Sequence, residues 1–122
     1  MTKESFSFSK RLQSFRFAGQ GVFAFLKKEH NAWLHFMASV TVITLGFLLA
    51  ISRTEWIALV VVIGFVWIAE MFNTCLEVLL DFLSPALHPQ VKFIKDVAAG
   101  AVLIAATVAL VTGLIIFIPH FY

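Results

Sequence analysis

Residues 6–28 carry apolar side chains at steps of three and four, with Phe8, Leu12, Phe15, Val22 and Leu26 in register and Gly19 between them. Lys10, Arg11, Arg16, Lys27 and Lys28 supply cations in the same stretch. This period predicts an amphipathic helix. The alternative, a helix packed on a soluble core, finds no such core in this chain, so the segment is expected to lie in a membrane surface. Three long apolar runs follow. Residues 32–51 are interrupted only by His35, and Ser52-Arg53-Thr54-Glu55 then reads as a short polar connection. Trp56–Ala69 is wholly apolar, and the helical period continues through Glu70, Asn73, Glu77 and Asp81 until Ser84-Pro85 breaks it. Residues 97–118 hold no charge, and Pro119-His120 closes that run. Each run meets the ~20 residues needed to cross about 30 Å of hydrocarbon. The expected spans are residues 32–51, 56–83 and 97–118, the second longer than a bilayer requires.

Composition agrees with this pattern. Of 122 residues, 61% are hydrophobic and 13% charged, against about 25% charged in a soluble domain. The expected fold class is therefore an all-α integral membrane protein, a surface helix followed by three transmembrane helices in one membrane-embedded domain over residues 1–122. A net charge of +2 on so apolar a chain excludes nucleic-acid binding. With Cys75 as its one cysteine, the chain closes no internal disulfide and lacks a Cys/His zinc pattern. The first apolar run begins too late for a secretory signal, so the N-terminus is expected to be retained. Lys3, Lys10, Arg11, Arg16, Lys27 and Lys28 precede the first span, Arg53 follows it, Lys92 and Lys95 precede the third, and none follows that. This asymmetry places the N-terminus and the 84–96 loop in the cytoplasm.

The second span carries the chemistry. At 100° per residue, Glu77 and Asp81 lie about 20° to either side of Glu70, and Asn73 and Thr74 within about 60°. One reading is a solvated face on a helix leaving the bilayer, and for Asp81 alone that reading stands equally well. Glu70 is different, because 20 residues counted from Trp56 reach Cys75 and leave Glu70 inside the hydrocarbon. A charge at mid-membrane costs about 2.5–3.5 kcal/mol on insertion scales, less nearer the interface, and an intramembrane carboxylate normally marks a functional path. Glu70 is thus a candidate general base. Glu77, about 10 Å further along the axis, reaches the headgroup zone, where a hard cation such as Mg²⁺ takes carboxylate oxygens alongside phosphates. Lys95-Asp96 sits at the mouth of the third span, ahead of Val97-Ala98-Ala99-Gly100-Ala101. Such small residues suit close helix packing. Lys95 is either a positive-inside flank or a phosphate partner. His88 and Glu29 stay open on spacing, Glu29 as an interfacial charge or a metal carboxylate. His35 is open too, as a satisfied intramembrane histidine or a functional one.

Glu70-x-x-Asn73-Thr74-x-x-Glu77-x-x-x-Asp81, followed by His88 and Lys95-Asp96-Val97-Ala98-Ala99-Gly100-Ala101, resembles the signature of the prokaryotic diacylglycerol kinase family. Glu29-x-Asn31-x-x-x-His35 further resembles the branch that phosphorylates undecaprenol, since the diacylglycerol branch tends to carry Glu where His35 stands. The resemblance implies an ATP-dependent lipid kinase of the bacterial inner membrane, a homotrimer with active sites near the cytoplasmic interface that draw on neighbouring subunits. It implies Glu70 as general base, Glu29 and Glu77 as Mg²⁺ carboxylates, Asn73, Lys95 and Asp96 as the nucleotide and catalytic cluster, and His88 as a loop contact to nucleotide. Phe17 stands where the best-known branch has a nucleotide-stacking Tyr and Ala99 where it has Ser; the family's N-terminal Arg corresponds to Lys10 or Arg11. Phosphoryl transfer asks for positioning, charge neutralisation and a base, and these residues supply each. No G-x-x-x-x-G-K-[ST] loop is present, so ATP is held through metal and basic side chains instead. The competing classes are a proton or ion carrier, which accounts for Glu70 but not for Glu77, Lys95 and Asp96, and a structural subunit, which accounts only for the small residues.

Overall fold

The computed structural model describes residues 5–122; Lys3, counted above among the N-terminal cations, lies outside the described residues. These fold entirely as helices and turns, α1 (Phe8–Lys28), α2 (His30–Leu48), α3 (Arg53–Leu83), α4 (Pro89–Phe117) and a closing 3₁₀ turn (Ile118–Phe121). The chain divides into two compact units, one ending at Trp33 and one covering Leu34–Tyr122.

In the first unit, Ser7 caps α1 by accepting a hydrogen bond from the Lys10 backbone N–H, which satisfies one of the four orphan donors at a helix start. Lys27 and Lys28 occupy its last turn, where cations complement the helix dipole. Phe8, Leu12, Phe15, Phe17 and Phe23 are exposed along it, and Phe25 is buried. Arg11 stands 5.5 Å over the ring of Phe6, just before the helix, and Lys27 stands 4.6 Å over the Phe23 ring, so a cation lies on an aromatic face near each end of α1. Glu29 ends it, its backbone N–H bonded to the Phe25 carbonyl.

In the second unit α3 and α4 form an antiparallel hairpin joined by residues 84–88, and α2 lies beside them. All three are long and apolar enough to cross a membrane. Their outward side chains are apolar, as at Phe65, Leu103 and Ile104, each more than 60% exposed; in water such a surface would be an aggregation site, whereas in lipid it is solvated. At 31 residues, α3 is about 46 Å long, about 16 Å more than the hydrocarbon thickness.

The helix ends depart from the expected limits for local reasons. Ser52 and Glu55 form a capping box, with the Glu55 N–H donating to Ser52 Oγ at 3.1 Å and the Ser52 N–H to Glu55 Oε1 at 2.9 Å; α3 therefore starts at Arg53, and the polar connection is its first turn. His88 caps α4 through Nδ1, which accepts the Gln90 N–H at 3.1 Å, with Pro89 at the first helical position. The third helix thus begins eight residues before the expected 97, and most of the presumed loop is helical. At the other end of α2, Ala50 adopts a left-handed backbone with φ 50°. The Ile51 N–H reaches the Gly46 carbonyl and the Ala50 N–H the Phe47 carbonyl, the bond pair that ends a helix in a Schellman turn.

This turn closes the end of the bundle opposite Asp81 and Lys95. Ile51, Leu59, Ile116 and Phe117 are buried together, with Leu45 and Trp56 against them, and Trp56 tilts over Phe47 with ring centroids 4.8 Å apart. His120 reaches Glu55 at 3.2 Å, joining the closing 3₁₀ turn to the start of α3. A Cβ on Gly46 would stand 2.7 Å from the Trp56 ring and 3.1 Å from Ile51 Cδ1. Gly46→Ala is expected to displace the indole and cost about 1–3 kcal/mol, the usual range for overpacking, measured as a lowered thermal midpoint in detergent. The small residues at the head of α4 divide in their roles: Ala98 is buried, whereas a Cβ on Gly100 meets nothing within 4 Å, so the approach of α3 does not depend on Gly100.

Candidate active site

One face of α3 carries three polar pairs in succession over the 12 residues from Glu70 to Asp81, about 16 Å along the axis. Deepest is Glu70, 8% exposed and the one charged side chain in the buried set of the described residues. Its Oε1 lies 2.8 Å from His35 Nε2 on α2. One turn on, the Asn73 amide donates through Nδ2 to Glu77 Oε1 at 3.3 Å. Asn73 Oδ1 is buried and accepts no hydrogen bond among the described residues. A buried carbonyl oxygen left so costs about 1–3 kcal/mol, and such an atom calls for a ligand, ion or water to satisfy it. Outermost is Asp81, which takes the Lys95 ammonium at 2.6 Å and so ties the end of α3 to the start of α4. Asp96 pairs within its own helix with Lys92. The face rises from a buried carboxylate to exposed ion pairs.

Packing and hydrogen bonding fix the deep end. Trp67, three residues before Glu70, donates its indole N–H to Ser39 Oγ at 3.1 Å, and the Ser39 hydroxyl donates to the His35 carbonyl at 2.7 Å. Beside them is a cavity of about 250 Å³ whose apolar lining includes Val66, Ala106, Leu110 and Gly113, and which His35 and Ser39 also line.

The residues expected at the site fall into both units. Glu70, Asn73, Glu77, His88, Lys95 and Asp96 belong to Leu34–Tyr122, while Arg11, Phe17 and Glu29 belong to the first unit. Arg11 and Phe17 are exposed and Glu29 is partly buried. His88 has its Nδ1 occupied as the cap of α4. Sequence reading left His35 undecided; the signal that pairs it is that two polar side chains, each alone in an apolar run, satisfy one another. No group of three or more His, Cys, Asp or Glu side chains that would hold a metal is assembled among the described residues.

Comparison with known proteins puts this face in a family context. The family described as "Prokaryotic diacylglycerol kinase" matches residues 16–117, a stretch that holds all three pairs. An undecaprenol kinase of Bacillus subtilis is 36% identical over 107 residues, covering 88% of this chain and 87% of that protein. A diacylglycerol kinase of a Synechocystis species is also 36% identical, covering 88% of this chain and 62% of its own length. A diacylglycerol kinase of Pseudomonas aeruginosa is 34% identical over 76 residues, 62% of each chain. With a family match over most of its length and relatives at this identity, the chain belongs to the prokaryotic diacylglycerol kinase family and is a lipid kinase.

Proposed function

We propose that this protein transfers the γ-phosphoryl group of ATP to the primary hydroxyl of undecaprenol at the cytoplasmic face of a bacterial inner membrane. The observation that carries the reading is a carboxylate, Glu70, buried in an apolar helix at the foot of a polar face that opens outward. In the step, the lipid hydroxyl oxygen bonds to the γ-phosphorus, the bond from that phosphorus to the bridging oxygen of ADP breaks, and the hydroxyl proton passes to Glu70. His35 occupies Oε1, which leaves Oε2 to receive it.

Glu77, with Asn73 Oδ1 beside it, would supply oxygen donors to Mg²⁺, and Glu29 of the first unit is the other carboxylate assigned to the metal. Carboxylate and amide oxygens are the ligands this hard cation takes, and the unsatisfied Asn73 oxygen suits it. When bound, the ion neutralises charge on the transferring phosphates. Lys95, Asp96 and His88 are the nucleotide-binding residues of the second unit, and Arg11 and Phe17 are those of the first. The N-terminus is cytoplasmic and α1 lies in the membrane surface, its exposed Phe side chains in lipid and its cations toward headgroups. The working unit is an oligomer, because three helices shield so long a polar face poorly and helices from partner subunits hide it from lipid; the family resemblance implies that it is a homotrimer.

Undecaprenol is favoured over diacylglycerol because this chain and the Bacillus undecaprenol kinase cover one another nearly end to end, whereas the Synechocystis diacylglycerol kinase extends well beyond the match. The test is Mg²⁺-dependent transfer of labelled γ-phosphate from ATP to undecaprenol and diacylglycerol offered side by side in mixed micelles. Labelled undecaprenyl phosphate formed faster is the expected result. Faster labelling of diacylglycerol would move the chain to the other branch. Folded protein that labels neither would remove both acceptors and favour a proton carrier, to be read as proton flux in vesicles.

A further inference from the structure

We propose that His35 is the positioning residue for Glu70, holding one carboxylate oxygen so that the other meets the lipid hydroxyl. The proposal rests on the reading of Glu70 as the base. A carboxylate that acts as a base is ionised and only accepts hydrogen bonds, so in the 2.8 Å contact His35 Nε2 donates to Glu70 Oε1. Two bonds bridge α2 and α3 one turn apart, His35 to Glu70 and Trp67 to Ser39. Ser39 in turn grips the His35 carbonyl. The donor is thus set on a helix whose register against α3 is held by a second, independent contact.

Packing alone does not fix the ring. His35 lines the 250 Å³ cavity and its side chain keeps 24% of its exposure, so the imidazole has room to turn away. The hydrogen bond to Glu70 is what holds it. Without it the Glu70 side chain regains rotamers in which neither oxygen faces the reacting hydroxyl, and turnover falls while nucleotide binding, which involves the outer pairs, does not.

The test compares His35→Ala, His35→Gln, Glu70→Gln and the double variant His35→Ala/Glu70→Gln in the labelled-phosphate assay. His35→Ala is expected to lower kcat by about 10–100-fold, the range seen when the partner that orients a functional group is lost, with KM for ATP unchanged. His35→Gln, whose amide N–H can reach the same oxygen, is expected to recover most of that loss. The double variant is expected to be no slower than Glu70→Gln, because residues that act as a unit are not additive. Ring-nitrogen NMR of ¹⁵N-histidine protein supplies a readout that does not depend on turnover or on the stability of His35→Ala: Glu70→Ala, which removes the acceptor, is expected to move the His35 signals. Wild-type kcat in His35→Ala, with Glu70→Gln inactive, would overturn the positioning role and leave the base in place. Unmoved His35 signals would overturn it as well. An active Glu70→Gln would instead overturn the base itself.

Discussion

Glu70→Gln is expected to lower kcat by about 10²–10⁴-fold, the contribution of a positioned general base, and to leave the protein folded. The substitution keeps the side-chain volume and keeps an oxygen to accept from His35 Nε2, so the link between α2 and α3 survives. What it removes is the basic oxygen. The loss corresponds to about 3–5.5 kcal/mol of transition-state stabilisation, far more than a rearranged hydrogen bond supplies. Stability should move the other way or not at all: Glu70 is 8% exposed, and a neutral amide avoids the cost of a charge held near hydrocarbon. The measurements are kcat for undecaprenol in mixed micelles and the thermal midpoint in the same detergent. Turnover within tenfold of wild type from folded Glu70→Gln protein would remove Glu70 as the base.

The three helices long and apolar enough to span were legible because a bilayer demands length and apolarity together, and few chains satisfy both by accident. Their ends were less legible. Ser52-x-x-Glu55 reads equally as a polar connection or as a capping box, and choosing between them needed the reciprocal hydrogen bonds. His88-Pro89 carried a clearer start signal for α4, and extending the helix to Pro89 puts Lys92, Lys95 and Asp96 on its first turns. That shift matters, since it sets Lys95 on a rigid element opposite Asp81 instead of on a loop. The shared face of Glu70, Asn73, Glu77 and Asp81 follows from the period of one helix. Their partners do not, because His35 and Lys95 come from other helices, 35 and 14 residues away in sequence. A helical wheel contains no information about which neighbouring helix supplies the complement. Residue type gave a partial guide, in that a lone His and a lone Glu in apolar runs each require a partner in lipid.

Lys95→Met is expected to be the second most damaging change, with a loss of more than about 100-fold in kcat/KM for ATP, and Asp81→Asn is the variant that gives this result its meaning. Lys95 is bound to Asp81 at 2.6 Å, with the lysine side chain 36% and the aspartate side chain 68% exposed. A pair so placed contributes about 0.2–1 kcal/mol, equivalent to about fivefold at most. If tying α4 to α3 were the whole task of Lys95, either variant would break the tie and the two losses would match at that small size. If the ammonium also neutralises phosphate charge, Lys95→Met loses a charge-assisted donor that the pair's energy does not measure, while Asp81→Asn only loosens its tether. Asp81→Asn is therefore expected to stay within about fivefold of wild type, the limit that the exposed pair sets. Salt provides a further separation, since screening weakens the exposed pair but cannot restore a missing ammonium. Steady-state kinetics of both variants over a range of ATP concentration makes the comparison. Equal losses in the two would assign Lys95 to the helix contact and take it out of the nucleotide site.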